Sequence, residues 1–124
     1  MVLHTLKSGE LVLMRTLTIN GQNITLDDEG YLLDLTQWTA ALAEQLAAED
    51  NITLTEAHWD IIHVVRDFYH TYELSPAMRP LVKAVTAKLG ADKGKSIYLM
   101  KLFPESPAKQ SAKYAGLPKP TNCL

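Results

Sequence analysis

Cys123 is the only thiol in a chain of 124 residues, and it is the next-to-last residue, carried on the tail Gly116-Leu117-Pro118-Lys119-Pro120-Thr121-Asn122-Cys123-Leu124. It can form no internal disulfide, and a chain terminus is a poor place from which to pack a core. Chain ends are where a polypeptide moves most easily, so such a thiol can reach another protein. The prolines favour an extended path of about 3.1 Å per residue, and seven steps from Gly116 carry the sulfur roughly 20 Å. The chemistry open to it is nucleophilic: a thiolate attacks disulfides and persulfides once access is granted. Lys119 and Lys113 favour the thiolate, while the terminal carboxylate of Leu124 opposes them. A docked partner that adds positive charge or a helix N-terminus would activate the thiol only on contact. A frayed end that happens to contain cysteine is the plainer alternative.

Other polar clusters are weaker. His63, Asp67 and His70 are spaced by four and three along one helix face. His63 and His70 then stand about 10.5 Å apart along the axis, too far to share one ion, so a solvated face is expected and no metal site. His58 falls on the apolar side, as a packed or hydrogen-bonded histidine. No Ser-His-Asp order, glycine-rich phosphate loop or paired-carboxylate motif is present, and no cofactor is implied. Residues 76–102 have the outline of a helix-turn-helix, with Lys83, Lys88, Lys93, Lys95 and Lys101 as a basic contact surface. That outline has low specificity, because lysine-rich helix pairs occur in many proteins that never touch nucleic acid.

The elements that would position these residues can be read in order. Leu17 and Ile19, then Ile24 and Leu26, alternate with polar residues around Asn20-Gly21, which predicts a β-hairpin with a type I′ turn. Residues 1–13 lie outside that pattern and are expected to be a disordered extension or a start called too early. Helical spacing of Trp38, Ala41, Leu42 and Leu46 predicts a first helix over 37–49. Thr53-Leu54-Thr55-Glu56 opens a second, running to about Glu73, with Ile61, Ile62, Val65, Phe68, Tyr69 and Tyr72 on one face. Ser75-Pro76 reads as a cap and first-turn proline for a third helix ending at Gly90. Pro80 either distorts its first turn or moves the start toward Arg79. A fourth covers 96–102, and Ser106-Pro107 caps a fifth over 108–114, stopped by Gly116. The fold class is mainly α within α+β: a small hairpin, then about five helices and a flexible C-terminal arm. Residues 14–115 form the single domain and 116–124 the mobile arm.

The chain suits one hydrophobic core without disulfide staples. No apolar run approaches the length of a membrane span, and a single cysteine fits a reducing, cytoplasmic setting. The net charge of −2 conceals a split: residues 1–73 hold three Lys/Arg against twelve Asp/Glu, whereas 74–124 hold nine against two. A partner with an acidic surface would be steered toward the basic part, unless the two parts neutralise each other on folding.

The segments Asp28-Glu29-Gly30-Tyr31-Leu32, His58-Trp59, Val65-Arg66-Asp67-Phe68-Tyr69, Ser75-Pro76-Ala77, Leu81-Val82-Lys83-Ala84, Leu102-Phe103-Pro104, Pro107-Ala108-Lys109 and Ala115-Gly116-Leu117-Pro118-Lys119-Pro120, with the penultimate Cys123, resemble the TusE/DsrC sulfur-carrier family from about Met14 onward. The resemblance implies a carrier-type sulfurtransferase in which Cys123 is the catalytic residue, and Gly116, Leu117, Pro118, Lys119, Pro120 and Lys113 serve the arm and its docking. Sulfite-reductase partners in the family have a second arm cysteine eleven residues before the penultimate one, where this chain has Ala112. The pattern is therefore similar to the single-cysteine TusE branch. Its members take persulfide sulfur from a Tus-type donor complex and pass it to the tRNA 2-thiouridylase, with or without bound tRNA, for wobble-uridine 2-thiolation. The alternatives are a DsrC-like regulatory or sulfur-oxidation partner, or a helix-turn-helix DNA-binding module. No membrane partner and no direct sequence-specific DNA binding are expected.

Overall fold

The computed structural model describes the backbone of residues 2–5 and 11–121, and side chains from residue 13. Three antiparallel strands, β1 (Val2–Thr5), β2 (Leu11–Ile19) and β3 (Gln22–Asp27), form a sheet in the order β1-β2-β3. Asn20 and Gly21 both have positive φ, 50° and 81°, so β2 and β3 meet through the two-residue type I′ turn their sequence predicts. The register pairs Leu17 with Ile24 and Arg15 with Leu26. Ile24 and Leu26 are buried on the face toward the helices, and Leu17 and Ile19 are half-buried. The sheet is larger than a hairpin starting after Met14. β2 already begins at Leu11, and Val2–Thr5 pair with Leu11–Met14. Backbone hydrogen bonding needs no amphipathic alternation, so the hydrophobic pattern gave no sign of this strand.

Five helices follow: α1 (Ala40–Glu49), α2 (Glu56–Tyr72), α3 (Met78–Leu89), α4 (Ser96–Leu102) and α5 (Pro107–Tyr114). α1 starts three residues later than its spacing suggests. A short 3-10 turn, Leu35–Gln37, capped by Asp34, precedes it, and the Thr39 hydroxyl accepts from the Leu42 amide as the N-cap. Trp38 therefore stands in extended chain between turn and helix. α3 starts at Met78 with Ala77 as N-cap. Pro80 is thus its third residue, where the missing N–H would have had no partner inside the helix. Ser75 is released from the capping role its sequence suggests. Gly94 closes the turn into α4 against α3, where an added Cβ would lie 1.9 Å from the Thr86 hydroxyl.

α5 touches each of the other four helices. Its buried residues, Pro107, Ala108, Gln110, Ser111, Ala112 and Tyr114, are mostly small, which lets neighbouring backbones come close. Around it the core gathers Leu42, Leu46, Ile61, Ile62, Val65, Leu81, Val85, Leu99 and Phe103. Fully burying one such aliphatic or aromatic side chain contributes about 1.5–3 kcal/mol, so the helix that carries the tail is fixed by the whole array. No helix among the described residues is long and apolar enough to cross a membrane.

Candidate functional site

The tail leaves α5 through a C-cap that depends on glycine. Gly116 has φ +72°, its amide donates to the Lys113 carbonyl at 3.1 Å, and the Leu117 amide donates to the Ala112 carbonyl at 3.0 Å. This is the Schellman arrangement, and buried Leu117 supplies its usual apolar contact. An added Cβ at Gly116 would sit 2.2 Å from the Trp38 ring, so both backbone angle and space demand glycine.

The two remaining carbonyls of the helix end are met by side chains from distant sequence. The Trp38 indole N–H donates to the Tyr114 carbonyl at 2.8 Å, and Arg66 Nη1 donates to the Ala115 carbonyl at 2.7 Å. Arg66 also stacks over Trp38, its guanidinium carbon 3.8 Å from the ring centroid. Burial lowers the Arg66 pKa, and the Asp67 charge works the other way; an arginine so placed stays charged. It sets a positive charge beside the negative end of the α5 dipole. Trp59 packs edge-on to Trp38 at 6.5 Å and completes the support.

Beyond the cap the chain does not leave the body. The Ser75 hydroxyl donates to the Pro118 carbonyl. Lys119 Nζ spans both oxygens of Glu29 at 2.9 and 3.1 Å, and Pro120 is buried. Glu29 is presented by a turn whose construction is local. Asp27 Oδ1 accepts from the amides of Glu29 and Tyr31, both at 2.9 Å, and Gly30 turns the chain at φ +94°. The Tyr31 hydroxyl donates to the Lys109 carbonyl at 3.2 Å and ties this turn to α5. The arm expected to be mobile from Gly116 is thus held as far as Pro120, because each residue that would free it has a partner on the body.

Cys123 lies outside the described residues. It follows Pro120 by three residues, which span at most about 10–11 Å. While Pro120 is held, that is the thiol's range, about half of what a tail free from Gly116 would allow.

Lys113, read as an arm residue, instead pairs with Asp50 at 2.9 Å. Asp50 also accepts from the Tyr114 hydroxyl, which in turn accepts from Gln110 at 3.3 Å. Burial alone would raise the Asp50 pKa, but hydrogen bonds from Tyr114 and Lys113 and the Lys113 charge hold it below its ordinary value. Burial first, then the Asp50 carboxylate, push the Tyr114 hydroxyl far above its ordinary value. The group locks the end of α1 to α5.

The five lysines of the basic surface are dispersed. Lys83 and Lys88 are exposed on α3, Lys93 lies in the turn and pairs with Asp60 at 3.6 Å, and Lys95 and Lys101 mark the two ends of α4. α4 spans seven residues and exposes Ile97 and Met100. His63, Asp67 and His70 are exposed along α2, with His63 beside Trp59. His58 is buried: its Nδ1 accepts from the Thr55 amide at 3.1 Å, so Nε2 carries the hydrogen donated to the Leu102 carbonyl at 2.9 Å. Reasoning from sequence missed Trp38, Arg66, Ser75 and Glu29 as the tail's supports. The only signal was that Glu29, Arg66 and Ser75 lie in segments of the resemblance, whereas Trp38 lies in none.

The family model described as DsrC-like protein matches residues 18–124. The chain is similar to a protein named sulfurtransferase TusE homolog from Haemophilus influenzae, 56% identical over 87% of this chain and 99% of the relative. It is also similar to sulfurtransferase TusE of Pectobacterium atrosepticum, 52% identical with the same coverage. Among solved structures, DsrC of Allochromatium vinosum superposes with a TM-score of 0.83 at 48% identity, covering 90% of this chain and 100% of that one. The oxidized gamma-subunit of the dissimilatory sulfite reductase of Archaeoglobus fulgidus gives 0.78 at 39% identity, covering 89% and 100%.

Proposed function

Because this chain belongs to the DsrC-like protein family, we propose that it is a sulfur-relay carrier working as a sulfurtransferase through Cys123. The observation that carries the reading is the way the body holds the tail from Gly116 to Pro120, three residues before the penultimate Cys123. Relatives named sulfurtransferase TusE, 50–56% identical, support the same chemistry.

The Cys123 thiolate attacks the outer sulfur of a donor persulfide. A new S–S bond forms, the donor's S–S bond breaks, and the donor cysteine leaves as a thiolate. Cys123 becomes Cys-S-SH, with no net oxidation or reduction of the pair. In the second step an acceptor thiolate attacks that outer sulfur, and Cys123 leaves as a thiolate. Position 112 is alanine, and Cys123 is the chain's single cysteine, so no second thiol stands there to close a disulfide with the carrier. The proposed donor is a Tus-type relay complex, and the proposed acceptor is the tRNA 2-thiouridylase acting on the wobble uridine, in the cytoplasm.

The test is intact-mass spectrometry after incubation with a small persulfide donor. The expected result is one adduct of about 32 Da, a single sulfur atom, removed by a thiol reductant and absent from Cys123→Ser. An adduct of the same yield on the serine variant would overturn the assignment.

A further inference from the structure

α2 is amphipathic along its length, and its apolar stripe, packed on the core as far as Tyr69, is left partly open at Phe68 and Tyr72. Ile61, Ile62 and Val65 are buried, while Phe68 is half-buried and Tyr72, its ring tilted 46° against that of Phe68 with centroids 4.6 Å apart, is 60% exposed. Between this end of α2 and α3 runs an open groove of about 390 Å³, floored by Val64, Phe68, Pro80, Ala84 and Ala87. Leu74, just past the end of α2, is 55% exposed. Apolar surface of this kind, rimmed by polar groups, marks a site of protein association.

The rims decide what fits. α3 carries Arg79, Lys83 and Lys88 and no acidic residue, and none of the three has an ion-pair partner among the described residues. Lys83 and Lys88 line the groove directly, against Asp67 on the α2 side. From these observations we infer that the α2–α3 groove is the docking surface for a protein segment with apolar residues flanked by Asp or Glu, belonging to a partner that exchanges sulfur with Cys123. A nucleic acid would meet lysines but also an apolar floor that offers its phosphates nothing. A second copy docked groove to groove would bring the same excess of positive charge to the interface. The groove's end near Tyr72 and Pro80 flanks the loop whose Ser75 grips Pro118. A partner seated there is beside the base of the tail.

The inference rests on the carrier reading, and two measurements separate them. In full-length Cys123→Ala protein, which binds without reacting, affinity is measured by calorimetry for the purified Tus-type donor complex and for the purified thiouridylase. Ala84→Glu and the pair Lys83→Glu with Lys88→Glu are compared with the unaltered groove. The expected result is at least a tenfold loss for one of the two partners in both variants. Binding of the unaltered groove to that partner weakens with added salt, and the lysine variant loses most of this dependence. Circular dichroism checks that the exposed lysine pair leaves the fold intact. Equal affinity of all proteins for both partners, or binding by neither, overturns the groove while sulfur loading of Cys123 from a small donor leaves the carrier reading standing. So does loss confined to transfer RNA added alone, or sedimentation as a dimer abolished by the lysine variant.

Discussion

At the scale of single residues, Gly116 carries the most constraint. Its positive φ disfavours any side chain, and the Trp38 ring occupies the space a Cβ would need. Gly116→Ala should cost more than about 2 kcal/mol, seen as a lowered denaturation midpoint at unchanged m-value. The Asp50–Tyr114 pair contributes at both edges of the pH-stability profile. Asp50 has a folded pKa below its ordinary 3.8, so its contribution is present above that value and is lost as pH falls through the folded one. Tyr114 has a folded pKa raised above its ordinary 10.0; its contribution is present below pH 10 and declines as pH rises beyond it. Thermal melts of Tyr114→Phe should show a shallower alkaline decline than the parent protein. An identical alkaline limb would place the proton release elsewhere.

At the scale of elements, the tail's mooring is modest in energy. An exposed ion pair such as Lys119–Glu29 contributes about 0–1 kcal/mol and one hydrogen bond to Pro118 about 1 kcal/mol. Ser75→Ala with Glu29→Gln should therefore keep the global midpoint nearly unchanged while amide exchange over residues 117–121 speeds up. Unchanged exchange there would mean that buried Leu117 and Pro120 suffice. β1 is a second case. A chain beginning at Met14 loses β1 and the first three residues of β2, leaving a two-stranded hairpin, which is marginal without further support. Its melting temperature should fall, and an unchanged value would show β1 adds nothing. Helices α2, α4 and α5 and the Asn20-Gly21 turn were legible because local spacing and capping chemistry specify them. The start of α3 was legible only through Pro80, one of whose two alternatives moved it toward Arg79, next to the observed Met78; Ser75-Pro76 has the composition of a cap, but the Ser75 hydroxyl is taken by Pro118. The centrality of α5 was not legible, since its small and polar residues carry little hydropathy yet are buried. The supports of the tail come from residues 29, 38, 66 and 75, and no periodicity links positions so far apart. Only the contact itself shows them.

At the scale of the whole molecule, the acidic first part and basic last part of the chain are folded onto each other. Lys93–Asp60, Lys113–Asp50 and Lys119–Glu29 each join the two, while Arg15–Glu49 lies within the first. Three of the nine basic residues of the last part are therefore met by the first part, and of those without an ion-pair partner among the described residues, Lys83 and Lys88 on α3 stand beside the groove. The fold holds a rigid helical body, a tail fastened to it up to Pro120, and a thiol three residues further on. That division suits a carrier whose chemistry is simple and whose work is delivery to partners. Reconstituted transfer of labelled sulfur from a cysteine desulfurase, through the donor complex and this protein, to transfer RNA tests it most directly. With Cys123→Ser as the sole carrier the account predicts that 2-thiouridine formation falls to the level seen without carrier, at an unchanged melting temperature. A normal yield with that variant would contradict it.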